Sequence, residues 1–138
     1  MNLTSLLSTS DHTLLYFYPK DDTPGCTLEA QDFTRLVPEF AKLGIQIIGV
    51  SKDSEVSHEK FCNKHSLGIK LISDESDELH EQFGVIGEKK NYGKVYIGVI
   101  RSTFLLDQSG NVLKEWRNVK ATGHAEKVLR EITREYAE

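Results

Sequence analysis

The residues that could do chemistry are concentrated in one stretch, Tyr16-Phe17-Tyr18-Pro19-Lys20-Asp21-Asp22-Thr23-Pro24-Gly25-Cys26-Thr27-Leu28-Glu29-Ala30. An apolar run ends at Pro19, a polar turn follows, and Cys26 sits just past Pro24-Gly25, where helix-forming residues take over. That order reads as strand, loop and helix, with a thiol in the helix's first turn. The first N–H groups of a helix have no partner within it and carry partial positive charge, so a sulfur anion there is stabilised and the thiol is more reactive. A lone cysteine at such a point is otherwise a small buried residue beside a helix cap. Thr23 and the Pro-Gly turn change that reading, because they put a hydroxyl and free N–H groups beside the sulfur.

The pattern Pro19-x-x-x-Thr23-x-x-Cys26 resembles the active-site motif of the peroxiredoxins, the thiol peroxidases. The longer string from Tyr16 to Ala30 resembles their peroxiredoxin Q branch, also called bacterioferritin comigratory protein, and the resemblance runs from Asn2 to the last helix. It implies a thioredoxin-like fold and the reduction of hydrogen peroxide and organic hydroperoxides with no metal, flavin or haem cofactor. Such a reaction must stabilise one anion on sulfur before the step and another on the departing oxygen during it. Cys26 is the expected nucleophile. Thr23 is expected to set its hydroxyl beside sulfur and peroxide, with a simple helix cap as the alternative. Pro19 would wall off the pocket from water, or merely end the strand.

A second charge is needed, and Arg101 is the candidate to supply it. A guanidinium at the start of an otherwise apolar strand is hard to explain as a solvated face. It resembles, within Gly98-Val99-Ile100-Arg101-Ser102-Thr103-Phe104-Leu105-Leu106-Asp107, the arginine that peroxiredoxins hold over the thiolate. Its fixed charge and forked donors suit a thiolate and a peroxide oxygen together. Glu29 matches the family acid that braces this arginine; the alternative is a first-turn carboxylate favoured by the helix dipole.

The oxidised product is a sulfenic acid, which must be removed before further oxidation. Many members of the branch keep a resolving cysteine five residues past the nucleophile, where this chain has Gln31. The resemblance to a second subset points instead to Cys62 and a Cys26–Cys62 disulfide. The alternative is a buried Cys62 beside Phe61 in a one-cysteine enzyme resolved by an external thiol. A disulfide needs Cα atoms within about 7 Å. Two helices flanking a sheet are not expected to be that close, so one or both must unwind locally.

The elements that position these residues follow from periodicity. Thr13–Tyr18 and Ile45–Val50 are continuous apolar runs, expected as central strands buried on both faces. Between them Thr27–Leu43 reads as a helix with Leu28, Phe33, Leu36, Val37, Phe40 and Leu43 inward, kinked or broken at Pro38 and stopped by Gly44. A short turn is expected at Leu3–Leu7. A helix over Ser54–His65 has Val56 and Phe61 inward and Gly68 as its close, before a strand at Leu71–Ser73 and a short helix at Asp77–Phe83. Residues 84–98 carry four glycines and read as a long loop. Arg101–Leu106 and Val112–Arg117 form a hairpin, and Gly123–Glu138 an amphipathic helix. The sum is a single α/β, thioredoxin-like domain over 1–138, a mixed sheet with helices on both faces. The family's N-terminal hairpin is expected to be absent, leaving a monomer with weak self-association.

Composition closes off other classes. The net charge of −4 argues against nucleic acid or an anionic membrane surface as partner. The first residues show no basic segment followed by an apolar core, so a cytoplasmic, reducing location is expected, with thiols catalytic or inert rather than bridged. There is no Cys-x-x-Cys, which disfavours a general disulfide oxidoreductase. The five histidines, His12, His58, His65, His80 and His124, lack ligand spacing and read as solvated. Trp116, with Tyr92 and Tyr96, reads as a pocket rim, as core packing or as a partner face. The functional expectation is a peroxidase recycled by thioredoxin or glutaredoxin. Its rival is a non-catalytic thioredoxin-fold redox sensor or binding module.

Overall fold

A computed structural model describes residues 3–136. Its centre is β1 (His12–Phe17), a strand whose alternate side chains enter two different cores. Leu14, Tyr16 and Tyr18 point to one face, Leu15 and Phe17 to the other, as the two-residue period of a strand requires. β2 (Ile45–Ser51) and β3 (Lys70–Ser73) extend the sheet in parallel on one side. β6 (Ser102–Leu106) and β7 (Val112–Trp116) extend it antiparallel on the other, giving the order β3-β2-β1-β6-β7. This is the mixed sheet expected of a thioredoxin-like α/β protein.

On the first face α2 (Pro24–Lys42) and α5 (His124–Tyr136) pack against Leu14, Tyr16 and Leu105, with Phe61 of α3 (Glu55–His65) beside them. Trp116 belongs to this core, not to a pocket rim. On the second face α1 (Leu3–Leu7) and α4 (Glu78–Gln82) cover Leu15, Phe17, Ile48, Val50 and Phe104, aided by Phe83 and Val85. Both central strands are therefore buried on both sides, as their unbroken apolar runs suggest.

Several expectations are corrected in physical detail. α2 runs unbroken through Pro38, so the proline does not divide it. Its inner stripe is Cys26, Glu29, Ala30, Phe33, Leu36 and Phe40, and Leu28 is exposed. A buried carboxylate and a small residue set the phase of this helix, which is why an apolar count begins on the wrong residue. α3 shows the same effect. Its buried side chains are His58 and Phe61, while Val56 faces solvent at 61% exposure. It ends at Ser66, in the left-handed conformation with φ 53°, and not at Gly68.

The expected loop over residues 84–98 contains a hairpin, β4 (Ile86–Asn91) paired antiparallel with β5 (Lys94–Val99). Tyr92 and Gly93 both take positive φ, 52° and 79°, the pair of conformations a tight two-residue hairpin turn needs. The ribbon stands apart from the main sheet with Tyr92, Val95, Tyr96 and Ile97 exposed, so no buried face imposed the alternation that would mark strands.

One close approach constrains the core beneath the Cys26 helix. Gly49 is the register partner of Tyr16, and a Cβ on it would lie 2.8 Å from both Tyr16 Cζ and Leu71 Cδ2. Tyr16 is fully buried and stacked on Phe33 with ring centroids 4.7 Å apart, so it has nowhere to move. Gly49→Ala is expected to lower unfolding free energy by about 1–3 kcal/mol through overpacking, read from urea denaturation midpoints.

Candidate active site

The chain reaches the site through the loop after β1. Tyr18 N–H still donates to Val50 O (3.1 Å), then half-buried Pro19 turns the chain out of the sheet. Thr23 takes an extended backbone as the N-cap of α2, and Pro24 occupies a first-turn position whose N–H is not needed. Thr27 N–H donates to Thr23 O at 2.8 Å, the first bond of the helix. The N–H groups of Gly25 and Cys26 come before that bond and have no intrahelical acceptor. A threonine N-cap usually satisfies one of them with its side chain. Thr23 does not: its hydroxyl donates to Lys20 O at 2.9 Å, and no side-chain cap forms. The first turn keeps its positive end open beside Cys26.

The sheet brings Arg101 to the same point. β6 runs antiparallel to β1 with Ser102 opposite Phe17, so the residue before Ser102 emerges where β1 ends and the Cys26 loop begins. The segment is pinned on both sides, since Ile100 N–H donates to Val85 O (2.6 Å) and Arg101 O accepts from Val119 N–H (2.9 Å). The guanidinium forks: Nη2 donates to Cys26 Sγ at 3.3 Å, and Nη1 to Glu29 Oε1 at 2.5 Å. Cys26 and Glu29, one turn apart on α2, and Arg101, distant in sequence, form one contiguous unit.

Burial shapes the electrostatics of that unit. Cys26 is 2% exposed and Glu29 fully buried. Loss of solvation raises the Glu29 carboxyl to about 7, with the charge and hydrogen bond of Arg101 opposing a larger rise. For Arg101 burial acts to lower the value, but Glu29 and Cys26 outweigh it and hold the guanidinium charged. Glu29 Oε2 and the hydroxyl of Tyr16 are both buried without a hydrogen-bond partner among the described residues. Desolvation, then the nearby Glu29 and Cys26, push the Tyr16 phenol well above its ordinary range.

Cys62 lies apart from this unit, half-buried on α3, and both thiols are free. It borders a small cleft with Glu55, His58, Glu59 and Leu71. Burial and the charge of Asp21 raise its thiol above the usual value. Among the described residues no group of three or more His, Cys, Asp or Glu is arranged to hold a metal ion, and no helix is long and apolar enough to cross a membrane.

Three histidines expected to be solvated are buried instead. His58 is tied to Asp21, His80 to Asp74 and His124 to Thr103, at 2.7, 2.6 and 2.7 Å. Burial, with the charges of Lys127 and Arg101, lowers His124 to about 4 and keeps it neutral. Sequence reasoning missed the tie between the Cys26 loop and α3. Asp21 accepts from His58, Tyr18 and Ser57. Asp22 accepts from Lys64 and His65. The signal that could have shown it is His58 and Cys62 four residues apart, on one helical face, opposite a pair of loop aspartates.

The family model described as AhpC/TSA family matches residues 2–115. The chain is 51% identical over 127 residues to peroxiredoxin Bcp of Xanthomonas campestris pv. campestris, covering 91% of this chain and 79% of that protein. It is 51% identical over 118 residues to peroxiredoxin Bcp of Bacillus subtilis, covering 86% and 75%. Among solved structures it is similar to the bacterioferritin comigratory protein of Xanthomonas campestris, studied for alkyl peroxide reduction (TM-score 0.83, 47% identity, covering 91% of this chain and 80% of that one). It is also similar to a cysteine-to-serine mutant of Xylella fastidiosa PrxQ (TM-score 0.88, 40% identity, covering 98% and 82%). Xanthomonas campestris peroxiredoxin Q has been solved with serine at either of two cysteines, whose separation equals that of Cys26 and Cys62.

The raised Glu29 value has a consequence for stability. In the unfolded chain the carboxyl loses its proton near 4.5, and in the folded protein only near 7. Between those values the folded state holds the extra proton, so Glu29 costs stability progressively as pH rises from 4.5 to about 7, and no more above that. Glu29→Gln cannot titrate. Its loss of urea resistance between about pH 5 and about pH 8 is expected to be smaller than that of the wild type.

Proposed function

The chain belongs to the AhpC/TSA family and is a peroxiredoxin, a thiol peroxidase, and on that premise we propose that Cys26 is its peroxidatic cysteine. The Cys26 thiolate attacks one peroxide oxygen, the O–O bond breaks, and the other oxygen leaves as hydroxide or alkoxide to take up a proton. Sulfur is left as the sulfenic acid. Arg101 and the N–H groups of Gly25 and Cys26 receive the negative charge. Thr23 accepts the peroxide O–H: its own proton is committed to Lys20 O, which leaves its lone pairs free. Pro19 shields the reacting atoms from water, and Glu29 holds the arginine in position without touching the peroxide. The observation that carries this reading is the guanidinium fork joining Cys26 Sγ to Glu29.

The substrates proposed are hydrogen peroxide and organic hydroperoxides, the latter supported by the alkyl peroxide reduction of the Xanthomonas campestris protein. A thiol reductant closes the cycle, and thioredoxin or a glutaredoxin in the cytoplasm is proposed for that role. Cys62 is proposed as the resolving thiol, supported by the matching cysteine interval in the Xanthomonas campestris structures. A second reading, resolution by an external thiol, is favoured by the raised value of the Cys62 thiol, which is a poorer nucleophile while protonated. A monomer is proposed, with weak self-association through the exposed Val95, Tyr96 and Ile97 of β5.

A peroxidase assay on wild type, Cys26→Ser and Cys62→Ser, with thioredoxin and separately with glutathione, tests the whole scheme. Cys26→Ser is expected to fall to background with either donor. Arg101→Met is expected to lose roughly 10²–10³ in the rate of sulfur oxidation. One peroxide equivalent should lower the wild-type chain by about two mass units, the two thiol hydrogens lost on disulfide formation. A persistent sulfenic acid, or a chain-to-chain disulfide, counts against the intramolecular disulfide.

A further inference from the structure

The helix that carries Cys62 is lightly anchored. Of its eleven residues only His58 and Phe61 are buried, whereas α2 buries six side chains. His58 is held through both ring nitrogens. Nδ1 meets Asp21 Oδ2 at 2.7 Å and Nε2 meets Ile72 O at 3.1 Å. Both partners are acceptors, so the ring carries both protons. Burial alone would lower its proton affinity, but Asp21 and the Ile72 carbonyl reverse that and leave His58 above its ordinary value. Burial likewise acts to raise Asp21, and the bonds from His58, Tyr18 and Ser57 bring it below the usual carboxylate range. Tyr18 completes the cluster, its hydroxyl donating to Asp21 Oδ1 at 2.6 Å and its ring lying 6.3 Å from that of Phe61. The Asp21 backbone is fixed as well, by Asp53 Oδ2 at 2.8 Å.

These bonds join the Cys26 loop to α3 one helical turn before Cys62. A second join, Asp22 with Lys64 and His65, lies on the exposed side and contributes little. We propose that the Tyr18–Asp21–His58 cluster is a latch that seats the Cys62 helix, and that its release sets how fast Cys62 reaches the sulfenic acid on Cys26. The kinetic half of this rests on Cys62 being the resolving thiol. In that step the Cys62 sulfur attacks the Cys26 sulfur, the S–S bond forms and the S–O bond breaks. Hydroxide leaves with the Cys62 proton as water. The oxidising equivalent is the one delivered by the peroxide. His58, Tyr18 and Asp21 are positioning residues. They act by holding a helix, and a slow release prolongs the sulfenic acid and its exposure to a second peroxide.

The latch is read without the disulfide in reduced Cys26→Ser protein. Alkylation of Cys62 by N-ethylmaleimide, compared at equal thiolate fraction, is expected to quicken about tenfold in Tyr18→Phe and further in His58→Ala. His58→Asn, which keeps a donor toward Asp21, should fall between wild type and His58→Ala. Ile132→Val in the α5 core is the control, expected to lower the melting temperature and leave alkylation unchanged. In the two-cysteine chain, quenched-flow mass analysis should show the two-mass-unit loss quickening by the same factor. Sulfenic acid formation should stay within about twofold, and more peroxide should be needed for sulfinic acid. Unchanged alkylation in both Tyr18→Phe and His58→Asn overturns the latch, even where the wild type forms its disulfide. Faster alkylation in a chain that never loses two mass units upholds the seat and overturns Cys62 as resolving thiol, with the kinetic role.

Discussion

The arrangement depends on one guanidinium serving two acceptors. Arg101 places one nitrogen on the sulfur of Cys26 and another on the carboxyl of Glu29, and neither group has another cation within hydrogen-bond reach among the described residues. An isolated charge costs several kcal/mol or more to bury, and an ion pair is repaid only by close geometry and further hydrogen bonds. Here the repayment is incomplete. Glu29 Oε2 and the Tyr16 hydroxyl have no partner among the described residues, and desolvation leaves the carboxyl near 7. In the reaction proposed above that stress is of use, since the cation is desolvated and aimed before peroxide arrives.

Holding that cation in place is work done by the sheet. β1 delivers the loop with Cys26, β6 delivers Arg101, and their antiparallel register brings the two to the same edge. A one-residue slip would turn Phe104 and Leu106 out of one core and Leu105 out of the other, so the hydrophobic pattern fixes the register and the register fixes the chemistry. Tyr16 and Gly49, fitted against each other across β1 and β2, set the floor on which α2 lies. Packing far from the sulfur thus decides where the sulfur sits.

The parts of this plan governed by local rules were legible in the sequence. Two apolar strands, the helix between them and the hairpin of β6 and β7 follow from periodicity and turn residues. Arg101 stood out as a charge among apolar neighbours, and Thr23 and Cys26 by their spacing in the Pro-x-x-x-Thr-x-x-Cys motif. What escaped was decided by partners distant in the chain. The resemblance named Glu29 as the brace of Arg101, but not that it enters the core, which shifts the buried face of α2 and leaves Leu28 outside. His58 is inside because Asp21 and Ile72 O meet both its nitrogens, and Val56 is outside for the same reason. The β4–β5 ribbon buries little of either face, so its strands lack the alternation by which strands are recognised. Arg101 apart, polar residues that are buried in pairs carry no single-residue signal.

The two cysteines sit in surroundings of opposite character. Cys26 is gripped by a helix of nineteen residues with six buried side chains and by an arginine pinned on both sides. Cys62 rides on eleven residues whose buried side chains are one phenylalanine and one histidine, with a left-handed serine at their end. Attack on peroxide needs atoms fixed before the reaction, since orientation gained in advance lowers the barrier. Closing a bond between two helices needs the reverse, an element of low local stability that can leave its seat. A wholly apolar α3 would be held by many contacts that yield together. A helix held by one buried polar cluster can be freed by the loss of a few directional bonds, and Asp21, five residues before Cys26, places those bonds where a change at the sulfur can reach them.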